Sequence, residues 1–552
     1  MLEGRGLSMS INHPSSIADS AGKPYEGWLL KEKIAQLFIF GFHGKQPSDD
    51  ILGVIRDYGV GGVIYFSRNV QDARQVHELS GQLGAAAAEA GRPPLLVSID
   101  QEGGMVARIV DGVTLMPGNM ALGATGSEQA AYETARISGE ELRKLGINLN
   151  LAPCLDVNNN PDNPVINVRS FGDRPELVSR LGAAAVRGYQ AAGVSATVKH
   201  FPGHGDTSVD SHHDLPVVPH DRARLDAVEL PPFKAAIEAG TDLIMTAHIC
   251  LPSLDSSGVP STLSKPVLTG LLRGDLGYEG VIVTDCLEMD AIDRFYGPGQ
   301  GSVKAIEAGA DLLLVSHTPE KQLAALEAVA AAVENGQLDE ARIDESLERI
   351  LALKDKLAKG EPLLPWEEAS RSIFTEDHRN AAERWSEASV TLVKNEGGLL
   401  PLPPEGRTLV LWPEIVAVSV ADEMLAGDGT LGSQLQKRLP NVEERRMSGS
   451  DPLAGLERFD CIVFVSYDAM KHPLERTTAE RLMELAPEKT VAVSVRNPLD
   501  INLFPDVQAY LAVYECRPLA LQSAAKALAG ELKPSGRLPM ELSAEYPFGF
   551  GL

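Results

Sequence analysis

A chain of 552 residues exceeds one ordinary domain and points to two large ones. An apolar fraction of 44% is ordinary for a globular protein with well-filled cores. The formal charge of −26 at neutral pH argues against an electrostatic grip on nucleic acid or an anionic membrane and reads as solubility.

From the amino end, Met1 to Lys23 are polar and rich in Ser and Gly, with no apolar core of a secretory signal. No later stretch is long and apolar enough to span a bilayer, so the chain is expected to be soluble and cytoplasmic. The expected organisation is a polar tail over 1–26, a barrel over 27–358, a linker over 359–377 and a smaller α/β domain over 378–552. In the second region, a short apolar run repeatedly ends in a polar or Gly cluster and an amphipathic stretch follows. The predicted strands are Gln36–Phe40, Gly61–Phe66, Leu95–Asp100, Ile147–Ala152, Ala196–His200, Asp242–Ala247, Gly280–Thr284 and Asp311–Ser316. Eight such runs are what a (β/α)8 barrel requires, and their Val/Ile/Leu content suits strands buried on both faces.

Between them, Asp72–Ala90, Ser127–Lys144, Glu176–Ala192, Asp221–Ala239 and Glu320–Asn335 carry helical spacing. Thr318-Pro319 marks a helix start, with Pro at the first helical position. The charged stretch from Lys359 to Thr375, with Pro362, Pro365 and Trp366, reads as the linker. Beyond it, strands are expected near Val390–Lys394, Leu409–Trp412, Cys461–Ser466, Val491–Val495 and Tyr510–Val513, forming a smaller layered α/β sandwich domain. Its Gly-rich piece, Ala426 to Gly432, lacks the Gly-Lys-Ser/Thr of a phosphate loop.

Polar residues gather where the barrel strands end: Asp100, Asp156, Lys199, His200, His248, Asp285 and His317. In a (β/α)8 barrel those carboxyl ends share the face where chemistry is sited. The densest cluster is Lys199-His-Phe-Pro-Gly-His-Gly-Asp-Thr207, followed by Asp210-Ser-His-His-Asp214. It reads as a turn-rich βα loop, as a metal site using His204, Asp206, His212, His213 and Asp214, or as an acid/base loop. The first is disfavoured by the number of ionisable groups, the second by the lack of organised ligand spacing. In the favoured third reading, Asp210 and His212 share one side of an extended segment, and the carboxylate stabilises a charged imidazole that can give and take a proton.

Asp285 follows directly on an apolar run and fits two jobs equally: a helix N-cap with Glu288 three residues on, or a carboxylate nucleophile. Asp100 and Glu102 are candidate acceptors for sugar hydroxyls, beside a Gly pair that permits close backbone approach. Arg169, in Asn167-Val-Arg-Ser-Phe-Gly172, offers a planar donor fork; for each of these two segments, a loop salt bridge is the simpler alternative. The five cysteines, Cys154, Cys250, Cys286, Cys461 and Cys516, form no CxxC pair and argue against a disulfide framework or a thiolate zinc site.

Together these segments resemble glycoside hydrolase family 3 in its β-N-acetylglucosaminidase branch. The resemblance runs from Lys33-Ile-Ala-Gln-Leu-Phe-Ile-Phe-Gly-Phe42 and Gly59-Val-Gly-Gly-Val-Ile-Tyr-Phe66 to Ser535-Gly-Arg-Leu-Pro539 and Tyr546 to Leu552. Its most specific piece is the Lys199–Thr207 string with the following Asp210-Ser211-His212. The resemblance implies that Asp285 is the nucleophile, that His212 with Asp210 is the acid/base dyad, and that Asp100, Arg169, Lys199 and His200 bind the terminal sugar. Two positions depart from the branch: Met105 stands where Arg is usual, and Thr284 where Ser is usual.

The implied activity is a retaining exo-β-N-acetylglucosaminidase acting on peptidoglycan fragments or chitooligosaccharides. The expected partner is a carbohydrate substrate, with no cofactor, no metal, no nucleic acid and no membrane; no residue fixes an oligomeric state. A cationic His beside an anionic Asp285 would also admit an anionic acceptor, so an N-acetylglucosaminide phosphorylase is the alternative. Further alternatives are a β-glucosidase, a metal-dependent barrel hydrolase and a non-catalytic sugar-binding protein, the last opposed by the presence of Asp285, Asp210 and His212 together.

Overall fold

A computed structural model describes residues 23–211, 214–419, 421–424 and 429–552. Eight parallel strands close a barrel: β1 (Phe38–Gly41), β2 (Gly62–Tyr65), β3 (Leu96–Ile99), β4 (Leu149–Asn150), β5 (Ser195–Phe201), β6 (Leu243–Thr246), β7 (Val281–Cys286) and β8 (Leu312–Val315). β8 pairs with β1 through Phe38 and Leu313, which completes the circle. All eight lie where apolar runs predicted them. Their residues are buried almost throughout, as parallel strands flanked by side-chain layers and helices must be.

The helices follow local sequence rules. Glu128–Lys144 starts at Ser127, whose hydroxyl accepts from the Ala130 N–H. Pro319–Glu334 starts with proline in its first turn, as expected. The single helix expected over Asp221–Ala239 is instead two, Arg222–Ala227 and Pro231–Glu238. Pro231 and Pro232 cannot donate in a helix interior, so the first helix stops and proline begins the second.

The second sheet contains β9 (Thr391–Asn395), β10 (Thr408–Trp412), β11 (Val442–Arg446), β12 (Cys461–Ser466), β13 (Thr490–Ser494) and β14 (Ala509–Ala512), in the order β9-β14-β13-β12-β10-β11. β9 runs antiparallel to β14 and the other pairs are parallel. β11 was not expected, because Val-Glu-Glu-Arg-Arg has no apolar run; it is an edge strand, where charged side chains reach water. The expected linker is not slack. Trp366–Ala369 is helical, and Phe374 N–H and His378 Nδ1 both meet the Glu141 carboxylate of the barrel.

The second domain grips the ribbon that follows β3, residues 101–107. Arg517 donates to the carbonyls of Gly104 (2.7 Å), Met105 (3.1 Å) and Glu423 (2.9 Å). Arg108 reaches back to the Ala421 carbonyl at 2.8 Å, and Glu423 bonds Ser67 on the barrel rim. Among the described residues, no helix is long and apolar enough to cross a membrane.

Candidate active site

Two strands carry an extra residue at their carboxyl ends. β5 pairs with β6 through Val198 and Ile244, then through Phe201 and Thr246, so three steps on β5 match two on β6. β7 and β8 show the same mismatch between Val283–Cys286 and Leu312–Leu314. Bulges of this kind re-aim side chains. The first contains Lys199 and His200, and the second contains Asp285.

Lys199 is almost fully buried, and its Nζ lies 2.7 Å from both Asp100 Oδ1 and Glu102 Oε1. Arg169 faces Glu102 as a fork, with Nη2 to Oε1 at 2.8 Å and Nε to Oε2 at 3.1 Å. Burial pushes the Glu102 carboxyl up, but Arg169 and Lys199 outweigh it and hold the group well below the usual carboxylate range. Burial alone would lower the Lys199 ammonium; Asp100 and Glu102 instead raise it. The result is a pre-charged floor of two cations and two carboxylates. Arg169 directs its fork at Glu102 in a buried ion pair, the simpler of the two expectations for this segment. Glu102 is correspondingly committed to the cations, while Asp100 remains the more accessible carboxylate.

Asp156, just past β4, organises the next layer. Its Oδ2 lies 2.6 Å from His200 Nδ1, and its Oδ1 accepts from the His204 N–H at 2.6 Å. Burial would raise this carboxyl, but His200, by charge and hydrogen bond, and the backbone N–H of His204 hold it low. Asp156 engages Nδ1 of His200 and so fixes the orientation of the ring. Asp156 had been noted as a polar strand end without a role; its partners, 44 and 48 positions on, leave no local sequence signature.

Asp285 lies within β7 and is partly exposed, and its Oδ1 accepts from the Cys286 N–H at 2.7 Å. It is not a helix N-cap. Glu288 does not complete a capping box either, since its Oε1 accepts from the N–H groups of His317 and Thr318. His248, beyond β6, has Nε2 at 2.9 Å from the Cys286 carbonyl, so that nitrogen carries the proton and braces the segment next to Asp285. The Thr284 hydroxyl accepts from the Leu314 N–H inside the barrel wall, a job that Ser could equally do.

Asp210 is half-buried and Ser211 buried. His212 and His213 lie outside the described residues. Of the other candidate ligands in this loop, His204 meets hydroxyls at both ring nitrogens, and Asp206 lies 2.6 Å from His220. Met105, where Arg is usual in the branch, is buried in the core cluster of the second domain.

Residues 29–353 match the glycosyl hydrolase family 3 N terminal domain. The chain is 34% identical to beta-hexosaminidase A of Pseudoalteromonas piscicida, over 89% of this chain and 90% of that protein. It is 28% identical to a beta-N-acetylglucosaminidase/beta-glucosidase of Cellulomonas fimi, over 92% and 93% of the two chains. Among solved structures, a family 3 beta-N-acetylglucosaminidase from Paenibacillus sp. str. FPU-7 superimposes with a TM-score of 0.89 at 49% identity, covering 93% of this chain and 99% of that one.

Proposed function

Because the chain belongs to glycosyl hydrolase family 3 and is a glycoside hydrolase, we propose that it releases single terminal β-linked N-acetylglucosamine units with net retention of configuration. The observation that carries this reading is the re-aimed pair of strand ends: Lys199–His200 on β5 and Asp285 on β7, two strands flanking β6 of one barrel. The names of the relatives supply the sugar; the residues supply the chemistry.

Asp100, Arg169, Lys199 and His200 hold the terminal sugar, and Arg169 also pairs with Glu102 beside them. Asp285 attacks the anomeric carbon and forms a glycosyl-enzyme ester. His212, oriented by Asp210, gives its proton to the departing oxygen. It then takes a proton from the water that breaks the ester. An imidazolium next to a carboxylate nucleophile is attracted to it, where a second carboxylate would be repelled. Substrates with N-acetylglucosamine at the non-reducing end, from peptidoglycan fragments or chitooligosaccharides, fit this exo-acting site.

The test compares wild type and Asp285→Ala on p-nitrophenyl β-N-acetylglucosaminide and β-glucoside, with the first-formed anomer followed by NMR. Expected are a preference for the N-acetylated substrate, a β-configured first product, and loss of at least about 10³-fold in the variant. An α-configured first product would end the retaining mechanism. Sugar 1-phosphate as the product in phosphate buffer would make the enzyme a phosphorylase.

A further inference from the structure

We infer that His204 is a positioning residue for the acid/base loop, acting through the hydroxyl of Ser211. The inference rests on the reading above, in which Asp210 and His212 move the proton. Ser211 stands between those two residues in the chain. Its side chain is buried although Val209, two residues earlier, is 41% exposed.

What holds Ser211 down is the His204 ring. His204 Nε2 lies 3.1 Å from Ser211 Oγ, and Nδ1 lies 2.9 Å from Thr207 Oγ1. With a hydroxyl at each nitrogen, the ring can neither flip nor rotate without losing a bond. Asn163 fixes the backbone beside it, donating to the carbonyls of His204 and Gly205, both at 2.9 Å. The same amide's oxygen accepts from the N–H groups of Val165 and Ile166, which lead into Arg169.

The chain of contacts is continuous. His200, on the sugar, bonds Asp156; Asp156 takes the His204 N–H; the His204 ring holds Ser211. Burial and the adjacent charge of His200 push the His204 imidazole down to about 4, against the pull of Asp156 and Asp210. At neutral pH the ring is therefore uncharged and does not compete with His212 for the catalytic proton. It transmits position, not charge. Misplacing a catalytic group by about 1 Å costs on the order of 10²-fold in rate, so a single hydroxyl contact at the base of the loop can matter.

The test uses aryl β-N-acetylglucosaminides whose leaving groups span 2,4-dinitrophenol to 4-methoxyphenol. A good leaving group departs without a proton, whereas a poor one needs the acid. Ser211→Ala is expected to lose roughly tenfold to hundredfold in kcat/KM on the methoxyphenyl substrate and less than about threefold on the dinitrophenyl one. Ser211→Thr should recover most of the loss, and His204→Gln should follow Ser211→Ala. Asp210→Ala, measured alongside, must show the same dependence on leaving group. If Asp210→Ala shows it and Ser211→Ala either keeps full activity or falls equally on every substrate, the strut is wrong while the dyad stands. If Asp210→Ala does not show it, the dyad reading fails and this inference falls with it. Melting curves check the folding of each variant, and with Ser211→Ala expected to melt with the parent, a fold defect in His204→Gln would leave the test intact.

Discussion

Arg169 and Glu102 meet as a fork against a carboxylate beneath the site, with their side chains 6% and 3% exposed. Lys199 shares the same carboxylate at 2.7 Å. One anion therefore serves two buried cations, and neither cation has water to fall back on. Removing one member of a buried pair typically costs about 3–5 kcal/mol, because its partner is left charged and unpaired. Glu102→Gln and Arg169→Met are each expected to fall in that range by urea unfolding at pH 7. The double variant should cost less than the two summed, with a coupling above about 1 kcal/mol. Simple additivity would show that the fork does not act as a unit.

A second prediction concerns pH. Glu515 lies under the ribbon, where its Oε2 accepts from the Gly118 N–H at 2.7 Å. Burial pushes its carboxyl up to about 7, against the Gly118 hydrogen bond and the Arg517 charge. A carboxyl raised above its unfolded value, near 4.3, binds its proton more tightly in the folded state. Its stabilising contribution is complete below that unfolded value and is lost as pH rises through the folded one. Burial raises Glu475 to about 8 and Asp500 to about 7, which adds the same sign. Glu515→Gln keeps an acceptor for Gly118 and removes the titration. Relative to the parent, its Tm should rise on going from pH 5 to pH 8.5. A difference in Tm that stays flat across this range would refute the buried-proton account.

The barrel was legible because a parallel strand covered on both faces must be apolar without interruption, and eight such runs stood in order. The candidate residues were legible because polar groups interrupt the runs at one end only. Partner choice was not legible. For Arg169 a salt bridge could be expected but its partner could not be named, because the Glu102 carboxylate lies 67 positions away and no local pattern reports such a meeting. The partners of His204 were hidden for the same reason: a serine and a threonine hydroxyl leave no mark in a string of ionisable residues. β11 was missed because an edge strand needs little apolar surface.

The two groups of ligand-like atoms among the described residues make a third prediction. In one, Arg224 Nη2 stands 3.7 Å from Asp206 and 3.4 Å from Glu229, so a guanidinium already supplies positive charge. In the other, burial pushes the Cys154 thiol well up and neighbouring Asp156 pushes it further, which makes it a poor thiolate donor. Dialysis against EDTA should therefore leave the hydrolysis rate unchanged. A loss of activity that zinc or magnesium restores would overturn this assignment.

Met105 tests how far family pattern and local physics agree. The branch usually carries Arg here, and restoring it would ordinarily count as a repair. In this chain the Met105 side chain is 4% exposed and packs in the core of the second domain, while its carbonyl accepts from Arg517 and from the Glu423 N–H. Arg108 and Arg517 already bring two cations to this seam. Met105→Arg would bury a third cation among the apolar side chains that now surround Met105, and should destabilise by about 3 kcal/mol or more. Met105→Leu keeps the volume and should cost less than about 1.5 kcal/mol. Both effects are read from Tm, with kcat/KM measured in parallel. Should the Arg variant be as stable as the parent and more active, the seam has room for a guanidinium and the burial argument fails.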